Sequence, residues 1–565
     1  MKKRFVSSAF AMLMLLTTLM TAACGKEETN DGTLQIDGDD AAPITLSIWG
    51  VKGEGTTDEA VAKVEAAMSK ITQAQFNTAI ELNLYFEDEY EAKLEERMNA
   101  IQEDIDAEKA AAEERKKAEN EAKKRGETLP PLETETTSDE TTEEETVLDE
   151  YGLPATKYPE VGARQLDIFL VTDYEMLQKY NEKEVLSTLD TELSGASKLI
   201  KSYVHPTLVS AGVIKGKTVA ILNQQPVGEY TYMLVNRELA DKYYWDVEDF
   251  EILSDTYDFI LDVKRDEPDY QPVVGDLSYI NVNYFSLNGE KTIVGNMVGT
   301  DKAYGADFEP MILFQSTNWS RYTKLYMKLL FNECIGSETF TPEDKFGVGI
   351  MKGTAADVVA YEEEYHIVPL QVPQGTTENL FNGMFAVSTY TKDLARSMEI
   401  LTYLNTRSDL RNLFGYGIEG EHYELDKEGN LTVISDDYNM KLEYTGNCFL
   451  AHVPEGQPAN YWDIAKEHNI ELVLSPYFQF EIDPEEIDMD MYNHVLEVSE
   501  DFYEGMYLCK SAEEFEDYLD DYWEMAENDP IIEAWINQIP EAPSEDEEPP
   551  KTLGAYYIKW KALNK

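Results

Sequence analysis

At 565 residues the chain is long enough to build two or more lobes, each with its own core. Its 110 acidic residues against 47 basic ones leave a formal charge of −63, which repels nucleic acid and anionic lipid and argues against both as partners. Acidity on this scale suits a solvated extracellular protein but identifies neither fold nor ligand.

The chain begins with a positive stretch, Lys2, Lys3 and Arg4, followed by Phe5 to Met20, which is apolar and uncharged. That run is too short for a comfortable bilayer span and leads into Thr21-Ala22-Ala23-Cys24. The order is that of a bacterial lipoprotein export signal, with Thr21 in place of the usual leucine. It predicts cleavage before Cys24 and lipid on that thiol, so residues 1–23 read as signal peptide and 24–43 as a polar tether. No later stretch is long and apolar enough to cross a bilayer. The rest of the chain is expected to be extracellular, at the outer face of the cytoplasmic membrane, and to touch that membrane only through its lipid anchor.

Ile44-Thr45-Leu46-Ser47-Ile48-Trp49 alternates apolar and polar residues as a strand does, and Gly50 to Gly55 reads as a loop. Thr56 and Glu59 have the spacing of a capping box, and Val61, Val64, Met68 and Ile71 share one helical face. Ile80 to Phe86 is a second strand, and Tyr90 starts a helix with Leu94, Met98, Ile101 and Ile105 along one side. This β-loop-α-β-α opening points to a parallel α/β sheet. Asp106 to Arg125 keeps helical propensity, but its apolar residues are alanines with little to bury. Glu127 to Glu150 is acidic, holds no base and contains Pro130-Pro131, a composition that predicts disorder. Residues 106–160 therefore read as a charged insertion into a globular lobe, either a solvated excursion or a spacer or partner arm.

The fold resumes at Leu166 to Val171, a strand ending at Thr172-Asp173-Tyr174. Thr218 to Leu222 is another, ending at Asn223-Gln224-Gln225-Pro226, and Tyr230 to Val235 follows ahead of a helix from Asn236 to Tyr243. Phe346 to Met351, His366 to Val372 and Met384 to Val387 read as strands, and Asp393 to Leu413 as an amphipathic helical stretch. From about 455 to 540 the pattern is mostly helical, with Trp462, Trp523 and Trp535, and no internal repeat is present.

Little in the sequence announces catalysis. The 6 histidines form no HExxH or other metal-ligand spacing, and no GxSxG, phosphate loop or GxGxxG is present. Asp426-Lys427-Glu428-Gly429-Asn430 reads as a hairpin turn rather than a calcium loop. Cys334, Cys448 and Cys509 are odd in number and lack CxxC spacing, which excludes a disulfide scaffold and a zinc site by spacing. One bridge or three buried thiols remain open. Glycoside hydrolysis needs only two carboxylates at a suitable separation, which so acidic a chain neither excludes nor supports. No catalytic residue, metal or cofactor is assigned.

Several segments together resemble a known family. The lipobox, the early "TLSIWG" strand, "LDIFLVTDY", "AILNQQPVGEYTYMLVNREL" and "NLFNGMFAVSTYTKDLARSMEILTYLNTRSDLRNLFGYGIEGEHYEL" are similar to the extracellular solute-binding proteins of ABC importers. The branch is the one containing maltodextrin- and other oligosaccharide-binding proteins, in its Firmicutes lipoprotein form. The least generic piece is Tyr416-Gly417-Ile418-Glu419-Gly420-Glu421-His422-Tyr423.

The resemblance implies a two-lobe α/β fold of the periplasmic-binding-protein class II kind, with hinge strands and the ligand in the cleft between lobes. It places the first lobe at 44–229 and 371–450, the second at 230–370 and 451–540, and a C-terminal tail at 541–565. It also implies capture of a small solute, most readily an oligosaccharide, handed by cleft closure to the permease subunits of an ABC transporter by a monomeric protein. A cleft-carboxylate glycosidase, a surface sensor that does not transport, and a peptide ligand stay open as alternatives.

Ligands of open α/β sheets sit beyond the carboxyl ends of strands. That rule and the family pattern select Trp49, Gly50, Lys52 and Glu54 after the first strand, and Thr172, Asp173 and Tyr174 after the third. They also select Asn223, Gln224 and Gln225 before the crossing, Lys352 and Thr354 in the second lobe, and Tyr416 and Glu419 from the "YGIEG" segment. Aromatic rings offer sugars a flat apolar face, while amides and carboxylates pair with hydroxyls. Each residue also has a structural reading: Trp49 as core, Asp173 as a helix cap, Glu54 as a solvated loop acid, Glu419 as a support for its own turn.

Overall fold

A computed structural model describes residues 42–125, 156–203, 206–227, 229–277, 284–286, 294–297, 311–313, 316–338, 344–536 and 551–563. The export signal with Cys24, nearly all of the tether and the acidic tract from Glu127 to Glu150 lie outside the described residues.

From Ile44 the chain alternates strand and helix. It runs through β1 (Ile44–Val51), α1 (Asp58–Phe76), β2 (Thr78–Tyr85), α2 (Glu87–Arg125), β3 (Ile168–Val171), α3 (Tyr174–Glu182) and β4 (Ala220–Leu222). A connector leads to β5 (Tyr230–Asn236), α4 (Tyr257–Asp266), β6 (Gln271–Val274), α5 (Thr317–Phe331), β7 (Phe346–Gly353) and β8 (Tyr365–Gln371). A second connector leads to β9 (Met384–Val387), α6 (Leu394–Thr406), α7 (Ser408–Tyr416), the hairpin β10 (Tyr423–Leu425) and β11 (Asn430–Val433), and α8 (Tyr461–Ile470). The C-terminal part holds α9 (Met489–Leu508), α10 (Ala512–Glu527), α11 (Pro530–Ile536) and α12 (Leu553–Leu563).

The first sheet has the order β2-β1-β3-β9-β4. β1 runs parallel to β2 and β3, while β9 runs antiparallel to β3 and β4. The second sheet has the order β8-β5-β7-β6, with β5 antiparallel to both neighbours and β6 parallel to β7. Each sheet has its own core. Ile48, Phe169, Phe385, Leu401 and Phe414 are buried around the first, and Met233, Phe259, Val348 and Ile350 around the second. A third core joins α5 to the C-terminal helices through Trp319, Phe502, Phe515 and Trp535. Full burial of side chains of this size contributes about 1.5–3 kcal/mol each.

Polar residues inside β1 follow the strand alternation, yet Ser47 is buried. The reason is Asp167, a fully buried carboxylate just before β3. It accepts from Ser47 N and Oγ (2.8 and 3.0 Å), Gln165 Nε2 (2.8 Å), Thr391 Oγ1 (2.8 Å) and Lys392 N (2.7 Å). One carboxylate thus ties β1, β3 and the segment after β9 together at the amino end of the sheet.

Several local expectations shift. The cap of α1 is Thr57, whose side chain accepts from Ala60 N. Thr56 instead exchanges hydrogen bonds with the Asn439 backbone, so the capping-box spacing with Glu59 is not used. β1 continues to Val51, which puts Trp49 and Gly50 inside the strand rather than beyond it. The helix expected from Tyr90 starts at Glu87 and runs unbroken to Arg125, with side chains from Asp106 to Ala118 exposed apart from partly shielded Arg115. The stretch from Asp393 to Leu413 is two helices, α6 and α7. The region read as a tail contains α12, whose Tyr557 hydroxyl donates to Pro476 O (2.8 Å). Cys334 and Cys448 are buried free thiols and Cys509 is a partly exposed one. The turn at Asp426 to Gly429 closes the β10–β11 hairpin, with Asp426 Oδ1 accepting from Glu428 N and Asn430 N.

Candidate ligand site at the strand ends

Register fixes which edges of the two sheets are joined. Met384, the first residue of β9, lies opposite Val171 and Leu222, the last residues of β3 and β4. In the second sheet, Tyr230 at the start of β5 lies opposite Gly353 at the end of β7, and Gln371 at the end of β8 lies opposite Thr231. The connectors 223–229 and 372–383 therefore run between the same two edges. One of these is the carboxyl edge of the first sheet, where open α/β sheets place their ligands.

The first connector is held tightly by its backbone. Asn223 N donates to Gly383 O (3.0 Å), and Cys448 N donates to Gln224 O (2.7 Å). Asn469 on α8 binds the connector twice, Nδ2 donating to Gln225 O (2.8 Å) and Oδ1 accepting from Val227 N (3.0 Å). Gly383 is required here. Its φ is +146°, and a Cβ would stand 2.6 Å from Glu443 O.

The side chains of the same run are a different matter. Asn223, Gln224 and Gln225 are 0%, 6% and 6% exposed. Asn223 Nδ2 donates to Glu443 O (2.9 Å). Asn223 Oδ1, Gln224 Oε1 and Gln225 Nε2 are buried with no hydrogen-bond partner among the described residues. A buried polar group without a partner costs about 1–3 kcal/mol, so three in consecutive residues call for a functional reason.

Across the connector stands a group of aromatic rings. Tyr230 stacks on Tyr232 (5.5 Å between ring centroids, 27°) and meets His468 edge-on (4.8 Å). Thr231 Oγ1 donates to Gln371 Oε1 (3.3 Å). Burial, with the Asp357 charge added, pushes the Tyr232 hydroxyl up to about 12, so it stays a neutral donor at physiological pH. Lys352 is exposed within β7. Thr354 caps the next turn, its N and Oγ1 both donating to Asp357 Oδ2 (2.7 and 2.8 Å).

The remaining residues selected from sequence lie in structural roles in this conformation. Trp49 is 8% exposed, part of the first core, and stacked on Tyr85 at 5.5 Å. Gly50 is buried beside it. Lys52 is buried, pairs with Asp58 (3.0 Å) and lies 5.0 Å from the Phe86 ring. Glu54 is exposed on a loop pinned to the Asn439 backbone through Gly53 N (2.8 Å). Asp173 caps α3, accepting from Met176 N (2.8 Å), and its other oxygen accepts from Thr172 Oγ1 (3.0 Å). Tyr174 packs on Phe381 at 4.8 Å.

Tyr416 sits in a small cluster with Phe449 and Trp462, and the Arg411 guanidinium lies 5.4 Å from its ring. Glu419 is exposed and belongs to a self-contained turn. There His422 Nδ1 accepts from Ile418 N (2.9 Å), and Gly417, at φ +79°, leaves no room for a Cβ beside that ring.

Sequence reasoning did not find Asn469, Gly383 or the Tyr230–His468 contact. Asn469 lies more than two hundred residues beyond its partners, and no periodic signal marks it. The alternating Tyr230-Thr231-Tyr232 could have been read as a ring pair on one strand face. Among the described residues no group of three or more His, Cys, Asp or Glu side chains is placed to hold a metal ion, and no helix is long and apolar enough to cross a membrane.

No family model and no curated protein matches the chain in sequence. Solved structures do match in fold. The N-glycan transport solute-binding protein NgtS of Streptococcus pneumoniae aligns at TM-score 0.54 and 14% identity, over 87% of this chain and 96% of its own. An extracellular solute-binding protein of Bifidobacterium longum subsp. infantis aligns at TM-score 0.43 and 14% identity, over 88% of this chain and 98% of its own. A family 1 extracellular solute-binding protein of Alicyclobacillus acidocaldarius aligns at 0.40 and 13%, over 86% and 99%. The first of these establishes the fold: a two-lobe α/β solute-binding-protein architecture.

Proposed function

We propose that this protein captures a small solute, an oligosaccharide, between its two sheets and hands it to the permease subunits of an ABC importer. The observation that carries the reading is the run Asn223-Gln224-Gln225 at the carboxyl edge of the first sheet, each residue of which buries one amide atom that has no hydrogen-bond partner among the described residues. Amides donate and accept at once, which suits hydroxyl groups that do the same. The Tyr230 ring supplies an apolar face, and Lys352 is a cation on the same edge of the second sheet. NgtS, whose fold this chain shares, is named for N-glycan transport. The lobes are read as 44–229 with 371–450, and 230–370 with 451–540. The connectors then serve as hinges, and closure is the working motion.

The anchor is part of the same reading: lipid on Cys24 would hold the protein beside its permease. Cys24→Ala should release it from membranes or leave unprocessed precursor; membrane fractionation with lipid identical to wild type would overturn the anchor. The binding function is tested by a thermal-shift screen of the mature protein against neutral oligosaccharides, glycosides and short peptides, followed by small-angle scattering with the hit. A ligand should raise the unfolding temperature by binding linkage, shrink the radius of gyration and be recovered intact. Unchanged dimensions at saturation, or cleavage of the sugar, would overturn the proposal in favour of a rigid binder or a glycosidase.

A further inference from the structure

Away from the strand ends, a cavity of about 570 Å³ opens between α4, α5 and α10, and it shares no residue with the connectors. Its volume lies in the range of about 300–1,000 Å³ typical of small-molecule sites. Thr317, Ser320, Arg321, Lys324 and Lys328 all line it and recur every three or four residues along α5, so they form one helix face. Trp523 of α10 and Leu325 provide an apolar wall.

The charge of this lining runs against the rest of the molecule. The chain has 110 acidic residues and 47 basic ones, yet among the described residues the cavity lining contains three cations and no carboxylate. Lys328 pairs with Glu516 (3.2 Å), a residue outside the lining. The Arg321 guanidinium lies over the Tyr322 ring (5.0 Å). Lys324 is half-buried and has no ion-pair partner among the described residues. Hydroxyls beside cations and an aromatic wall match a molecule that joins an anionic group to a ring.

We propose that this cavity is a second ligand site, distinct from the strand-end site, that binds a small ring-bearing anion of the sugar phosphate class. The anionic group sits against Arg321 and Lys324 with the hydroxyls of Thr317 and Ser320, and the ring lies against Trp523. Such a site would let the second sheet's lobe respond to a charged metabolite independently of the transported solute.

The test is calorimetric titration of the mature wild-type protein with glucose 6-phosphate and, separately, glucose, at about 0.15 M salt, where charges beyond about 8 Å are largely screened. Glucose 6-phosphate should bind and glucose should not. The R321Q/K324Q double variant, at positions outside the core, should lose affinity at least tenfold, as should Trp523→Leu. Circular dichroism of each variant confirms its fold. No binding of glucose 6-phosphate at millimolar concentration, equal binding of glucose, or affinity unchanged in R321Q/K324Q would each overturn the proposal.

Discussion

Asp167 and the Asn223-Gln224-Gln225 run lie at opposite edges of the same sheet, and both bury polar side chains completely or nearly so. At the amino edge, the Asp167 carboxylate accepts from donors on three segments, so this buried group is a structural tie. At the carboxyl edge, the backbone of the connector is held at four points by Gly383, Cys448 and Asn469, while each amide side chain keeps one buried atom with no partner among the described residues. A network that is satisfied specifies a fold. One that is held in place but left unsatisfied costs stability, and under the proposed function the captured solute is what completes it.

The largest effect expected from this contrast is at Asp167. Asp167→Ala leaves donors from Ser47, Gln165, Thr391 and Lys392 buried without an acceptor, and should cost about 3–5 kcal/mol in urea unfolding of the mature protein. A cost below about 1 kcal/mol would show that these donors find water or other partners.

At the other edge, substitution should be nearly free. Gln224→Leu and Gln225→Leu together replace two amides that each bury an unpartnered atom by apolar groups of similar size, and should leave stability within about 1 kcal/mol of wild type or raise it. A loss like that of Asp167→Ala would mean that the amides are structural after all.

How far the sequence reaches differs between these edges. β9 was legible to the residue, since an apolar run flanked by polar residues is a strong strand signal. The second connector's glycine and the partners of Asp167 were not, because the hydrogen bonds that Asp167 accepts from Ser47 and Thr391 span more than a hundred residues and leave no periodic trace. Asp173 offered two readings, and the structure shows it as the cap of α3. Trp49 offered two as well and is packed in the core, because β1 runs two residues further than its alternation suggested. The amides at 223–225 stand out in the sequence for their place after a strand, but nothing there tells that their backbone is pinned while one buried atom of each side chain has no partner among the described residues.

Two smaller effects follow from titrating groups away from both edges. Burial raises the Glu399 carboxyl from its usual 4.5 to about 7, with Arg396 opposing the shift. The folded state then holds a proton that the unfolded chain has released, so stability falls as pH rises from about 4.5 to about 7. Glu399→Gln should therefore gain in unfolding temperature relative to wild type at pH 8 by more than at pH 5. Equal differences at the two values would rule out the buried-carboxyl account.

For His422 the sign reverses. Burial lowers its pKa below the usual 6.5, and its Nδ1 must stay unprotonated to accept the Ile418 amide. The unfolded chain takes up the proton first, so stability falls as pH drops through about 6.5. His422→Asn, which keeps an acceptor that does not titrate, should flatten the stability profile between pH 7 and pH 5. A profile as steep as wild type would place that dependence elsewhere.

The most direct test of the central claim is calorimetric titration of one confirmed neutral oligosaccharide into the mature wild-type protein and into the Gln224→Leu, Gln225→Leu double variant. If the amides are completed by the sugar, the variant keeps its fold and loses at least about tenfold in affinity, or about 1.4 kcal/mol. An oligosaccharide that binds both proteins equally well would contradict the claim and move the binding site away from the carboxyl edge of the first sheet.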